Sequence, residues 1–340
     1  MKKISFISLF LILVVSIYPQ EAVVADSFYL ASWNLENLFD TEDDPAIDDE
    51  EFLPSSRRQW NEHKLSQKIE NLKKVIEFMN NQNGPDVLGV QEVENFEILE
   101  RLKNRLDVDY GIAYAESPDN RGIDNGLLYN KEKFEYVSHQ GLDVRLPDDW
   151  PTRLILEVQL KHISGEEFFI FVNHWPSRSG GFERSEPNRI AAAQTLKNRV
   201  DELLLTDENT NIIILGDLND EPNNVSVVEE LEAADLFCGE ELDRSFKLFN
   251  LATEVFLRGE GTYLYRGDWN MLDQVIVSRG LLDSKNFDFV CGSFEIIKPE
   301  FIVTKEGNYK GASIPTFGGR SYLGGYSDHF SVGAKFKIIK

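Results

Sequence analysis

Apolar and polar positions along this chain fall into short alternating or solid apolar bursts, interrupted twice by long stretches of helical spacing. Residues 28–34 (FYLASWN) predict a first strand. Residues 40–62 are acidic, carry two prolines and lack periodicity, so they predict a long surface loop. Leu65, Ile69, Leu72, Val75, Ile76 and Met79 then recur at helical spacing, predicting an amphipathic helix over about 62–81, stopped by Gly84-Pro85. Residues 86–91 (DVLGVQ) read as a buried strand and 96–106 as a further helix, with Leu99, Leu102 and Leu106 on one side. Strand-like runs at 126–129, 136–144, 153–160 and 168–173 lie close together and predict antiparallel hairpins, with His162-Ile163-Ser164-Gly165 as one turn. A second long helix is expected over 187–204, with Pro187 in its first turn and Ile190, Ala193, Leu196, Val200 and Leu203 facing inward. Residues 212–215 read as another buried strand, and short strands near 274–278, 288–297 and 330–338 complete the chain.

The pattern echoes itself. A strand ends in a polar residue, Asn34 in one half and Asn173-His174 in the other. A loop and an amphipathic helix follow, and a second apolar strand ends in acid, Glu92 or Asp217. Two packed sheets presenting strand ends along a common edge would produce this.

Composition changes the picture in three places. With 58 acidic against 35 basic residues the formal charge is −23, and no basic run offers a patch for long phosphate polymers. That balance favours small or monomeric phosphoesters without excluding a nuclease. Residues 1–25 begin with Lys2 and Lys3, run apolar over 4–17 and end in small residues near Ala25; they read as a secretory leader, leaving 26–340 as a single domain and the protein exported, periplasmic or extracellular. The two cysteines, Cys238 and Cys291, would either pair in an oxidising compartment or stay as separate buried thiols.

Chemistry collects at the strand ends. Glu92 in GVQEVEN sits where a carboxylate would hold a cation, or cap the next helix. Asn34 would offer an amide oxygen to a metal or amide hydrogens to a phosphate, and Glu36 reaches the same face if the strand continues. In IIILGDLND, Asp217 and Asn219 alternate and so predict one shared face, with Leu218 turned to the core. His174 in FVNHWPSR would give a proton to a leaving alkoxide. Arg178 and Arg184 would clamp a phosphate, or simply be solvated on a Ser/Gly loop. Asp273 would orient His329, or serve as a turn residue before its strand. Tyr263, Tyr265 and Trp269 would line a cleft or pack in the core. Ser327-Asp328-His329, after a Gly-Gly loop, would deliver Asp328 to a metal and His329 to the phosphate or the attacking water.

SWNLEN, DVLGVQEVEN, DNGLLYN, FVNHW, ILGDLND, MLDQVIVS and YSDHF, in this order over about 27–340, resemble the endonuclease/exonuclease/phosphatase superfamily. The resemblance implies an α/β fold, a four-layer α/β/β/α sandwich of two mainly antiparallel sheets flanked by helices, and hydrolysis of a phosphoester with Mg²⁺ or Mn²⁺. It implies Asn34, Glu92 and Asp328 at the metal, and His174 as general acid. It further implies Asp217 and Asn219 on water and phosphate, and Asp273 orienting a phosphate-contacting His329. Asp124 is matched more loosely, as a residue that would orient His174. The branch that repairs abasic DNA has a tyrosine where His174 stands, which argues against that activity. The expected partner is a phosphoester substrate (nucleic acid, nucleotide or lipid headgroup), with a monomeric state and no obligate protein partner. A noncatalytic binding or adhesion protein on the same fold is the alternative, and would be expected to have lost these site residues.

Overall fold

A computed structural model describes residues 27–285 and 287–338; the expected leader lies outside them. The chain lays down β1 (Ser27–Leu38), helix α1 (Glu62–Gln82), β2 (Val87–Val93), helix α2 (Phe96–Lys103), β3 (Tyr110–Ala115) and β4 (Asp124–Asn130). It continues through β5 (Phe134–Leu142), β6 (Ile155–His162), β7 (Glu167–His174), helix α3 (Phe182–Thr206) and β8 (Asn211–Asp217). Then come β9 (Ala233–Asp235), β10 (Leu248–Asn250), the short helix α4 (Thr253–Leu257), a hairpin of β11 (Tyr263–Tyr265) and β12 (Asp268–Asn270), and β13 (Asp273–Ser278). The last elements are β14 (Phe287–Phe289), β15 (Glu295–Ile297), a small hairpin of β16 (Phe317–Gly318) and β17 (Ser321–Tyr322), and β18 (Ser331–Ile338).

Two seven-stranded sheets result. One has the order β14-β18-β1-β2-β4-β3, with β15 also on β18; the other runs β5-β6-β7-β8-β13-β10-β9. Both are antiparallel except at β1/β2 and β7/β8, which are parallel, and at the edge pair β9/β10. A parallel pair needs a crossover, and α1 and α3 supply the two central ones. The internal echo thus has a physical form: two β-α-β units, one per sheet. Three apolar clusters define four layers. Leu30, Val87, Val172 and Leu215 meet between the sheets. Leu65, Leu72 and Leu99 of α1 and α2 cover the outer face of the first sheet, and Leu196 and Val200 of α3 that of the second. Each such fully buried aliphatic side chain stabilises the fold by about 1.5–3 kcal/mol.

Several expected boundaries shift. Strand 126–129 belongs to the first sheet, between β2 and β3, and does not continue the β5-β6-β7 meander. The stretch 288–297 divides into β14 and β15, which pair with different parts of β18. α3 begins at Phe182, with Gly181 as its N-cap, so Pro187 lies inside the helix and beyond its first turn. The acidic loop is anchored: Phe39 and Phe52 stack at 4.1 Å, and Trp60 is fully buried and donates Nε1–H to the carbonyl of Phe39 at 3.1 Å.

Cys238 and Cys291 are joined in a disulfide with their Cα atoms 5.6 Å apart, which decides between the two readings of the cysteines. It closes a loop with a sequence separation of 53 residues. Replacing both cysteines by serine should lower stability by roughly 2–5 kcal/mol, read from denaturant unfolding; unchanged stability would mean the bond does not form.

Candidate active site

The C-terminal ends of β1, β2, β7 and β8 meet at one edge of the sandwich, and β1, β2 and the chain after β8 leave regular geometry there. Glu36, Asn37, Glu92 and Asn219 have φ of 53°, 55°, 61° and 50°. A left-handed L-residue costs roughly 1–2 kcal/mol, so side-chain contacts must hold these kinks. At Glu92 the pairing of β2 slips against both β1 and β4, a bulge that turns the carboxylate toward the cleft. Gly216 has φ 133°, and a Cβ there would lie 2.0 Å from the carbonyl oxygen of Asn173. Only glycine lets β7 and β8 approach this closely just before His174 and Asp217.

Asn34 ties the two sheets together. Its Nδ2 donates to Glu92 Oε1 at 3.3 Å and to Asp217 Oδ2 at 3.1 Å. Its Oδ1 accepts the backbone N–H of Glu36 at 2.9 Å, so the amide hydrogens face the cleft. His174 Nε2 lies 3.8 Å from Glu92 Oε1 and 3.7 Å from Asp217 Oδ2. His329 Nε2 lies 3.9 Å from the same Asp217 oxygen. Behind His329, its Nδ1 donates to Asp273 Oδ2 at 2.8 Å, and the Tyr263 ring stacks on the imidazole at 4.7 Å. Glu92, His174, Asp217, Tyr263 and His329 line a cleft of about 360 Å³.

The two histidines are held in opposite states. Burial pushes His174 well below its ordinary pKa, and the charges of Arg153, Arg121 and His329 add to the effect. Burial also opposes charge on His329, but Asp273, Asp217 and Asp328 outweigh it and hold its pKa well above the usual value. Among the carboxylates, burial raises Asp217 to about 6 and Asp328 to about 7, the latter helped by Glu36 and Glu92.

The family model described as "Endonuclease/Exonuclease/phosphatase family" matches residues 29–337, which is nearly all of the described chain. The chain belongs to that family. Solved structures agree on the endonuclease/exonuclease/phosphatase fold. A Bacteroides thetaiotaomicron mannosyl-6-phosphatase is similar at a TM-score of 0.56 and 16% identity, covering 92% of this chain and 100% of that one. D. rerio TDP2 complexed with single strand DNA product gives 0.57 and 15%, with 92% and 99% covered. The human Nocturnin catalytic domain with bound sulfate gives 0.52 and 19%, with 92% and 94% covered. No curated protein matches at the sequence level.

Of the residues expected in this family member's site, Asn34, Glu92, His174, Asp217, Asn219, Asp273, Asp328 and His329 converge. The reason given for one pair does not hold. β8 ends at Asp217, so Asn219 reaches the site from a left-handed turn and not by strand alternation. Its N–H donates to Asp217 Oδ1 at 2.9 Å and its Nδ2 to the carbonyl of Trp175 at 2.9 Å. Asp124 does not orient His174. It accepts from Tyr114 Oη and from the N–H of Ser117, and His174 Nδ1 finds no hydrogen-bond partner among the described residues. Arg178 lines the cleft, but its guanidinium already donates to the carbonyl of Asn219 and the side chains of Asn270, Asp220 and Asn224. Its contacts fix the 219–224 turn. Arg184 lies outside this cleft. Trp269 is half-buried, stacks on Phe330 and packs against the core of the first sheet.

Sequence reasoning missed Lys68 and Asn71. Both sit on α1 and are buried. Lys68 Nζ donates to Thr316 Oγ1 at 2.7 Å and the carbonyl of Tyr326 at 2.6 Å, and lies 3.7 Å from Glu36. Asn71 Nδ2 donates to the carbonyls of Gly324 and Gly325 at 2.9 and 2.7 Å. Ser327 Oγ donates to the carbonyl of Asn34 at 2.6 Å. Together they seat the loop that carries Asp328 and His329. A lysine inside the apolar face of a helix, between Leu65 and Leu72, was the available signal. Arg153 was also missed; it donates to the carbonyls of His174 and Trp175 at 3.2 and 2.7 Å.

The donors suit a hard divalent cation. Lys68 Nζ lies 3.7 Å from Glu36 and also feels the charges of Asp328 and Glu92, and the Asp328 carboxylate makes no hydrogen bond or ion pair among the described residues. No three acidic, imidazole or thiolate side chains there converge as a ready cage, so the fit is to an open site using one or two carboxylates and water.

Gly216→Ala should destabilise the fold by more than ~2 kcal/mol, since the new methyl meets backbone oxygen. Chemical denaturation checks this; a variant as stable as the parent would show that β7 and β8 are not so close.

Proposed function

We propose that this chain is an exported, divalent-metal-dependent phosphoester hydrolase, a phosphodiesterase or nuclease, acting by in-line attack of water on phosphorus. The observation that carries the reading is the Asn34 amide bridging Glu92 and Asp217, with both imidazole Nε2 atoms within 4 Å of that Asp217 carboxylate. A Mg²⁺ or Mn²⁺ ion held by Glu92 and Asp328, next to Asn34, would supply charge neutralisation at the phosphate and leaving oxygens. Export is supported by the leader-like residues 1–25 and by the disulfide. Family neighbours bear printed names that span a sugar phosphatase and a DNA-bound enzyme, so the reaction class is better supported than any one substrate.

His329, fixed by Asp273 and with its pKa held above the ordinary value by the neighbouring acids, would contact a non-bridging phosphate oxygen with a charge-assisted hydrogen bond. Asp217 accepts from Asn34 and Asn219, and its remaining capacity faces the cleft, where it orients and deprotonates the attacking water. His174 is neutral in the free protein. A phosphoester entering beside it brings negative charge that favours the imidazolium, and that proton goes to the leaving oxygen as the ester bond breaks. Arg153 donates to the His174 carbonyl and so helps hold the backbone that carries the imidazole.

Glu92→Ala, His174→Ala and His329→Ala should each cut turnover of bis-p-nitrophenyl phosphate at least ~100-fold. Parental rates from His329→Ala would remove the mechanism. EDTA should abolish hydrolysis and Mg²⁺ or Mn²⁺ restore it; activity indifferent to EDTA would overturn metal dependence.

A further inference from the structure

Beside the catalytic cleft lies a larger cavity of about 660 Å³. The two share Arg121, Ser177 and Ser179, so Arg121 stands on the rim between them. The wall is stiff. Pro147, Pro151, Pro176 and Pro187 border it, each with a fixed φ. Arg153 is spent on structure, paired with Asp119 at 3.1 Å and bonded to the backbone of His174 and Trp175. This couples the cavity wall directly to the catalytic strand end.

Two cations remain for a ligand. Arg121 is half exposed and only loosely paired with Asp119, at 3.8 Å. Arg184 is exposed, lies in the first turn of α3 and makes no ion pair among the described residues. Asp148 and Asp149 both precede Trp150 and are exposed, and Asp148 accepts the backbone N–H of Trp150 at 3.2 Å. Trp150 itself is 63% exposed, whereas Trp33, Trp60 and Trp175 are at most 1% exposed. A large aromatic left in water beside two guanidinium groups, on a chain of charge −23, is a binding surface for something flat and anionic.

Resting on the hydrolase reading above, we propose that this cavity seats the nucleoside phosphate adjoining the scissile phosphate, with its base on Trp150 and its phosphate at Arg121 and Arg184. The substrate class is then a short single-stranded nucleic acid. A sugar monophosphate has one phosphoryl group, which the catalytic cleft occupies, and leaves both arginines unused. A duplex would bring its charged backbone against the acidic remainder of the surface. A single strand presents successive phosphates and unstacked bases together, which is what an aromatic platform with flanking cations binds.

The test compares bis-p-nitrophenyl phosphate, which fills only the catalytic cleft, with a short single-stranded oligonucleotide. Trp150→Ala and Arg184→Gln should raise KM for the oligonucleotide about 10-fold each while leaving hydrolysis of the small ester unchanged. In parallel, oligothymidylate titrated in EDTA should quench the tryptophan fluorescence of the parent protein and not that of Trp150→Ala. Oligonucleotide kinetics and quenching that ignore both substitutions would overturn the proposal, as would a Trp150 dependence seen with mannose 6-phosphate and not with the oligonucleotide. Failure of the parent to hydrolyse the small ester would strike at the hydrolase reading alone, because the quenching measurement needs no turnover.

Discussion

One side-chain amide holds the chemistry together. Asn34 belongs to the first sheet, as does Glu92, while Asp217 belongs to the second, and the amide donates to both carboxylates. Two like charges from different sheets would otherwise repel across a poorly solvated gap. The amide offers a hydrogen to each without adding a charge of its own. The rest follows from keeping this junction fixed: Gly216 permits the close approach of β7 and β8, the kinks at Glu92 and Asn219 aim the side chains, and α1 and α3 cover the outer faces.

Charge is balanced locally rather than over the whole molecule. A buried ammonium, Lys68, offsets part of the Glu36, Glu92 and Asp328 cluster and at the same time pins the loop before Ser327. Burial lowers the pKa of that ammonium, against the pull of the neighbouring acids. On the other side, Asp273 keeps one imidazole charged, while Arg153 and Arg121 help keep the other neutral. Two residues of the same type are therefore driven toward different protonation states by what each is packed against.

Legibility in the sequence followed distance along the chain. Aliphatic runs that stop abruptly in acid pointed to Glu92 and Asp217, although at Glu92 a cap for the next helix stayed an open alternative. The layer architecture rested on family resemblance, since periodicity gave strands and helices but not their assignment to two sheets. Lys68 was hidden because its partners, Thr316 and Tyr326, come from the far end of the chain. Arg178 looked like a phosphate clamp because an arginine beside a Ser/Gly loop carries no mark of being already engaged. Pro187 misplaced a helix start because a proline one turn further in has the same local pattern. Asn219 reaches the cleft by a route the strand alternation did not predict, as a left-handed turn is not visible in an asparagine.

The disulfide has a directional effect. Cys238 follows β9 at one border of the second sheet, and Cys291 follows β14 at the matching border of the first. At the opposite border β3 faces β5 with no covalent tie. Transient fraying of the sandwich is therefore one-sided: amide protons near β3 and β5 should exchange with solvent sooner than those beside the bridge, and proteolytic nicking should begin there. In a reducing medium that asymmetry disappears, and the layers are free to part from either flank.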